Sequence, residues 1–457
     1  LVDKLLHRSE VLPFPHELNV PTPESHTRLA PGTPAAIPEL AGLSLGLHKP
    51  LASFGLHMDA AGDARLDLEA AGPGTDWGRK GAESAVLSVY LDGKYQQDVV
   101  LWGGSKTSPY ALSLGNLPAG DHTVTVRYAR EKSTAGAQGI EIAAGRAEAV
   151  AYPSREERWA AQYAPILIGK GGLDNNHTDT PLGMYHTISQ NPDGTTTLSY
   201  AYAFSNEDEG TAANPALEAA RWGRLTDLQH VMNVTVDPDG RVVAERIEGN
   251  GHKVRDFKGE HDGTHPIIRT SSGNNNVSDD GDGPLRFRMT TDNAVPTNAP
   301  VEDLMRTRPG WFEAMGKEVL REGKVDPDGV GDKPDESALG KVQIWLAQHG
   351  LGDLPQMADP RNYLYVQFKA KGAEEHPVEV RVRLKNGEVR TSAMGVEAAQ
   401  IARDGWAQTT VQLPPGTKPE DVARVDFVSD GAHLDQVGHT FMLDPAYHPV
   451  EISPAGA

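Results

Sequence analysis

At 457 residues the chain is too long for one ordinary core, and two or three domains are expected. It carries 63 acidic against 43 basic residues, a formal charge of −20 with no long Lys/Arg cluster, which argues against nucleic acid as a partner. It has no cysteine, so disulfides, thiolate zinc sites and cysteine nucleophiles are excluded.

Hydrophobic residues make up 38% and the mean hydropathy is −0.46, yet 48 Gly and 33 Pro punctuate many short β-branched runs. That combination reads as folded, turn-rich β structure and not as disorder. No apolar run reaches about 18 residues, so no membrane-spanning segment is expected. An acidic, cysteine-free exterior and a start without a signal-like apolar core fit a secreted bacterial protein trimmed of its leader, and a truncated chain would read the same.

Residues 1–50, with LPFPHELNVPTPE and APGTPAAIPEL, read as an extended Pro-rich arm without regular structure. From 51 to 150 short alternating runs take over. In SAVLSVYLDGKYQQDVVL, Asp92-Gly93 between two alternating segments predicts a hairpin, and LPAGDHTVTVRY a turn followed by a strand. The phrase LPAGDHTVTV resembles the last strands of accessory jelly-roll modules of carbohydrate-active enzymes, which implies a small β-sandwich at 51–150. Trp77, Tyr95, Trp102 and Tyr110 could form its sugar-stacking platform or serve as core aromatics.

PSREERWAAQY (153–163) has the Pro and early Glu of a short helix. Beyond it come strand-like runs with Asp193-Gly194 and Asp239-Gly240 hairpins, then helical spacing at 301–322 and 336–349. Strands then resume around an Asn386-Gly387 hairpin. The expected fold class is therefore mainly β: the small sandwich, then a large antiparallel, jelly-roll-like sandwich over 151–457 with a helical insertion near 301–349.

The G-x-S-x-G elbow, H-E-x-x-H helix, P-loop and Rossmann glycines are all missing, which removes the common hydrolase, metalloprotease and nucleotide-enzyme readings. Between 173 and 283, however, polar residues concentrate near predicted strand ends: His177, Asp179, His186, Asp208, Asp227, His230, His252, His261 and His265. Such residues can ligate a divalent cation or share acid and base roles at a sugar ring.

The run RWGRLTDLQHVMNVTVDPDGRVVAERIEGNG, followed by DGTHPIIRTSSGNNN, resembles the necrosis-and-ethylene-inducing-like proteins and the related vacuolar-protein-sorting-type proteins. Those families carry a Gly-His-Arg-His-Asp-Trp-Glu segment before a strand and a later Gly-Thr-His-Pro segment. Gly223, Asp227 and Gly263-Thr264-His265-Pro266 match; Arg224, Thr226, Leu228 and Gln229 depart from the pattern. The resemblance implies a β-sandwich with a polar rim and a divalent cation near Asp227.

Two acidic, Gly-bearing loops have the hard-oxygen chemistry of calcium sites. One holds Asp279, Asp280 and Asp282; the other holds Asp326, Asp328, Asp332, Asp335 and Glu336. The expected cofactor is thus a divalent cation, calcium, and the expected partner a polysaccharide or other glycan.

Two cleavage chemistries fit. A lyase would take a proton α to a uronate carboxylate with His252, His265 or Tyr202, while Arg221 or Arg224 neutralises that carboxylate. A hydrolase would use two carboxylates about 5 to 9.5 Å apart, from Asp179, Glu207, Asp208 and Asp227. The alternative is a non-catalytic protein that binds glycans or membrane surfaces, lytic-toxin-like or structural.

Overall fold

The computed structural model describes residues 14–169, 179–207, 214–296, 299–326, 328–335, 337–353 and 355–453. The chain is mainly β, 44% strand and 14% helix. It divides into two units: Leu1–Thr178, Asp256–Thr270 and Ser278–Thr291 form the first, and Asp179–Arg255, Ser271–Val277 and Asp292–Ala457 the second.

Ten strands open the first unit: β1 (His26–Leu29), β2 (Ala35–Ala36), β3 (Leu43–Leu45), β4 (Leu51–Met58), β5 (Gly62–Ala71), β6 (Val86–Leu91), β7 (Lys94–Val100), β8 (Ser108–Leu117), β9 (Gly120–Tyr128) and β10 (Ile140–Ala149). They form two five-stranded sheets, one ordered β1-β4-β9-β6-β7 and the other β2-β10-β5-β8 with β3 on β10. The strands alternate as the pleat requires: Leu66, Leu68 and Ala70 of β5 are buried while Asp67 and Glu69 are not. Asp92 and Gly93 both take positive φ (49° and 79°), the backbone that a two-residue hairpin demands.

Here the expected arm is corrected. Residues 26–45 contribute three strands to the sandwich, with β1 parallel to β4 and β2 and β3 antiparallel to β10. Strands of two to four residues leave no readable periodicity; their pairing partners define them.

Helix α1 (Arg155–Gln162) is capped by Ser154, whose side chain accepts from the Glu157 amide. It leads into β11 (Ile166–Gly169). The chain then enters the second unit through β12 (Pro181–Gln190), β13 (Thr196–Phe204), helix α2 (Pro215–Trp222), β14 (Asp227–Val236), β15 (Val242–Gly249) and β16 (Lys253–Asp256). These five strands form one antiparallel sheet in sequence order. Next come β17 (His261–Asp262), β18 (His265–Thr270), β19 (Val277–Ser278) and β20 (Leu285–Phe287). β17, β18 and β20 join β11 in the order β17-β18-β11-β20, a third sheet of the first unit. The predicted boundary near 151 therefore does not separate the units, because 256–270 and 278–291 return to the first.

The rest of the second unit holds α3 (Asp303–Thr307), α4 (Pro309–Arg321) and α5 (Ala338–Gln348), within the stretch of helical spacing. Strands β21 (Tyr363–Lys371), β22 (Glu379–Leu384), β23 (Val389–Thr391), β24 (Gly405–Gln412), β25 (Val422–Val428), β26 (His433–Leu443) and β27 (Pro449–Glu451) follow. They make the sheets β24-β21-β26-β27 and β23-β22-β25. Faces of β21 and β26 meet α4 in a core where Tyr365 stacks on Phe441 at 5.0 Å and Phe312 edges onto both. The opposite faces close over β22 and β25 through Leu364, Val366, Phe368, Val380 and Val382.

Helix α2 falls where the sequence reads as a succession of strands. Asn214 caps it, Pro215 starts it, and Gly223 ends it at φ 64°. Its last carbonyls are taken by β24: Gln408 Nε2 donates to Gly223 O at 2.8 Å and Thr410 Oγ1 to Ala219 O at 2.8 Å.

Candidate functional site

The residues singled out in the sequence do not form one site. His265 belongs to the first unit, whereas Asp179, Tyr202, Arg224, Asp227 and His252 belong to the second. His177, Asp208 and Glu336 lie outside the described residues.

In the second unit, Asp227 opens β14 and is 6% exposed. Asn275 Nδ2 donates to its Oδ2 at 3.1 Å and to the Asn206 carbonyl at 3.2 Å. Asp179 Oδ1 in turn accepts from the Asn206 amide and from Ser205 Oγ, both at 3.4 Å. Asp227 and Asp179 thus share a buried network. Burial pushes the Asp227 carboxyl well up, Glu207 adds repulsion, and the charge of Arg224 opposes both. Arg224 is itself buried, with Nε 4.0 Å from Glu302 and a terminal nitrogen donating to the Thr226 carbonyl. Among the described residues no three His, Asp or Glu are grouped to hold a metal ion beside Asp227.

Tyr202 is fully buried and its phenol is pushed up by desolvation, so it is not placed to act as a base on a substrate. His252 is exposed and hydrogen-bonded through Nδ1 to Glu248 at 2.8 Å; the other oxygen of Glu248 holds His230 at 2.7 Å. Arg221 ends α2.

The aspartates of the acidic loops accept from backbone amides of their own and of other segments. Asp326 accepts from the Asp328 and Gly331 amides at 2.9 and 3.0 Å, and those bonds hold its carboxyl below the usual range. Asp332 accepts from Gln356 N, Asp279 from Lys258 N, and Asp282 from Gly283 N. Asp279, Asp282, Asp326 and Asp332 thus spend oxygens on amides, and Asp328 serves the loop through its amide. Among the described residues no three His, Asp or Glu are grouped to hold a metal ion, and Glu336 of the second loop lies outside them. Asp326→Ala is expected to lower the Tm of the second unit slightly, and calcium or EDTA to leave the wild-type Tm unmoved in a thermal melt. A calcium-dependent rise would restore the ion.

The aromatic platform is also corrected. Trp77, Trp102 and Tyr110 are 0%, 7% and 7% exposed, and Tyr110 Oη accepts from the Gly103 amide. Tyr95 donates to Asp98 at 2.5 Å and forms, with Phe14, an aromatic wall around the Lys132 ammonium.

What the first unit does offer is a cleft of about 1010 Å³, lined by residues of its β-strands, α1, and the returning segments 262–265 and 288. Gly263 and Thr264 make a two-residue link that sets Asp262 directly opposite His265 in the β17–β18 ladder. Gly263 takes φ 61°, and Thr264 Oγ1 anchors the link to Gln162 O at 2.6 Å. His265 donates through Nδ1 to the Ala164 carbonyl at 2.9 Å, which leaves Nε2 as the basic nitrogen. Burial, reinforced by the charge of Arg288, pulls its pKa down to about 4, so the imidazole is neutral at neutral pH.

Further groups complete the cleft, and none is singled out by the sequence. Tyr152 Oη donates to Asp63 Oδ2 at 2.8 Å, while Asn116 Nδ2 donates to the other oxygen at 3.3 Å. Desolvation, followed by the Asp63 charge, pushes the Tyr152 phenol up and keeps it protonated. Arg288 follows β20, its backbone carbonyl accepting from Ser113 N at 3.2 Å. Its guanidinium lies on the bare backbone of Gly115, where a Cβ would come within 2.7 Å of Cζ. Fixed donors, acceptors and one phenol around a roomy cleft suit a polyhydroxylated ligand.

No family model and no curated protein matches the chain. Among solved structures, a ruminal GH26 endo-β-1,4-mannanase is similar over 26% of this chain and 20% of its own, at 10% identity and a TM-score of 0.18. A carbohydrate-binding module CBM36, solved in complex with calcium and xylotriose, is similar over 26% of this chain and 90% of its own, at 13% identity and a TM-score of 0.18. NLPPya, in complex with mannosamine, is similar over 34% of this chain and 80% of its own, at 13% identity and a TM-score of 0.22. Each likeness is confined to about a third of this chain or less, and none assigns it to a family.

Proposed function

We propose that the chain is a secreted glycan-recognising protein and that the cleft of its first unit holds the sugar. One observation carries this reading: the cleft brings together Asp63, Tyr152, Asn116 and Arg288 in positions fixed by hydrogen bonds and packing, with Gln96 and Gln162 on the same lining. Hydroxyl groups of a sugar demand this mixture of donors and acceptors, and pre-set geometry lowers the entropic cost of binding. Calorimetry of the full chain against a panel of plant and bacterial oligosaccharides tests it. Asn116→Ala is expected to weaken the best ligand about tenfold, in line with loss of a hydrogen bond to a carboxylate and of one to the ligand. Failure to bind any member of the panel would sink the reading.

Cleavage of the bound glycan is a second reading, favoured by His265. A neutral imidazole can take a proton α to a sugar carboxylate. The carbon–carbon double bond then forms as the glycosidic carbon–oxygen bond breaks, and the leaving oxygen takes a proton from Tyr152. At a pKa of about 4 the base is weak, so neutralisation of the carboxylate by Arg288 has to supply much of the drive. Ultraviolet absorbance of an unsaturated product, present with the wild type and missing in His265→Gln, is the expected result. Binding without any product would remove cleavage and leave recognition standing.

A further inference from the structure

We propose that the cleft selects a sugar bearing a carboxylate, a uronate, and that Arg288 is the group that receives that carboxylate. The proposal rests on the glycan-binding reading above.

Among the described residues no anion is in contact with Arg288, although the charges of Asp262 and Asp63 act on it from farther away. Among the described residues its guanidinium makes no ion pair, and its Nε is buried with no hydrogen-bond acceptor. The two carboxylates that line the same cleft are engaged by other donors. Asp63 is held by Tyr152 and Asn116, and Asp262 by Arg286. Leaving a guanidinium largely desolvated and unpaired is expensive unless a partner arrives. A planar five-donor fork fits a planar carboxylate bidentately.

The setting also holds the fork still. Gly115, at φ 78° on β8, gives the guanidinium a flat backbone surface that any side chain would destroy. Arg158 lines the cleft too, on α1, and adds a second positive charge. His265 contributes no charge of its own at neutral pH. The lining therefore presents hydroxyl-binding groups around two guanidiniums, Arg288 and Arg158, with the Asp262 and Asp63 carboxylates acting on Arg288 from outside contact distance.

Calorimetry on the full chain with oligogalacturonate, the matched neutral oligosaccharide and a sulfated analogue tests the inference. The expected result is acidic binding about tenfold or more tighter than neutral, weakening as salt is raised. Arg288→Gln should bring the acidic ligand down to the affinity of the neutral one, and Arg288→Lys should restore only part of the difference. Equal affinity for acidic and neutral sugars, a preference that survives Arg288→Gln, or a preference for sulfate would overturn uronate selection and leave glycan binding intact. Should Arg288→Gln not fold, a lack of salt dependence in the wild type overturns it instead. Loss of all glycan binding by the wild type would fall on the underlying reading.

Discussion

Acidifying the protein from about pH 6.5 to pH 4 is expected to remove about 3 kcal/mol of stability from the first unit through His265 alone. The folded pKa of about 4 lies below the ordinary histidine value, so across that window the unfolded chain binds the extra proton and the folded one does not. The contribution is complete above about pH 6.5 and is lost as the pH falls through the folded value. Desolvation comes first among the causes and Arg288 second, while the Ala164 carbonyl, Asp262 and Asp63 pull the other way. Hydrogen exchange at the amides of β18, followed across pH, reads the local effect without assuming that the two units unfold together. His265→Gln should flatten the profile; an unchanged slope in the variant would show that other groups carry it.

Asp227→Asn is expected to stabilise the second unit at neutral pH by about 1–3 kcal/mol, the scale of an imperfectly compensated buried polar group. The sign is opposite to that of His265. A carboxyl whose folded pKa is raised contributes fully below its unfolded pKa, near 4, and loses that contribution as the pH climbs through the folded value. Wild type and variant should therefore coincide at about pH 4 and diverge towards pH 7 in denaturant titrations. Asn275 can still donate to an asparagine oxygen at this position, so the network itself is retained. A variant less stable than the wild type at pH 7 would mean that Asp227 is held charged by a partner, and the metal reading would reopen.

The β character of the chain is legible because its signals are local. Asp92-Gly93, Asp193-Gly194, Asp239-Gly240 and Asn386-Gly387 each mark a turn whose backbone few other residues adopt; all four lie between paired strands. Helix α2 is equally local, with Asn214, Pro215 and Gly223 as its punctuation, but its eight residues sit between strands and are too short for the helical period to stand out. The cleft is legible only in His265. Arg288 owes its place to β20 pairing with β11, more than a hundred residues earlier, and Asp63 and Tyr152 meet across 89 residues. Nothing in the spacing of residues announces such meetings. Conversely, the density of His and Asp between 173 and 283 reflects backbone bonding and side-chain pairing as much as chemistry, as Asp279, Asp282 and the two histidines held by Glu248 show.

The chain passes between the two units five times, at 178/179, 255/256, 270/271, 277/278 and 291/292. On the ribosome this imposes an order. Strand β11 emerges about a hundred residues before β18 and β20, the two neighbours that flank it, and at roughly 5–20 residues per second that wait is on the order of ten seconds. The His265 and Arg288 side of the cleft is therefore built last, after the second unit's first sheet has already been synthesised.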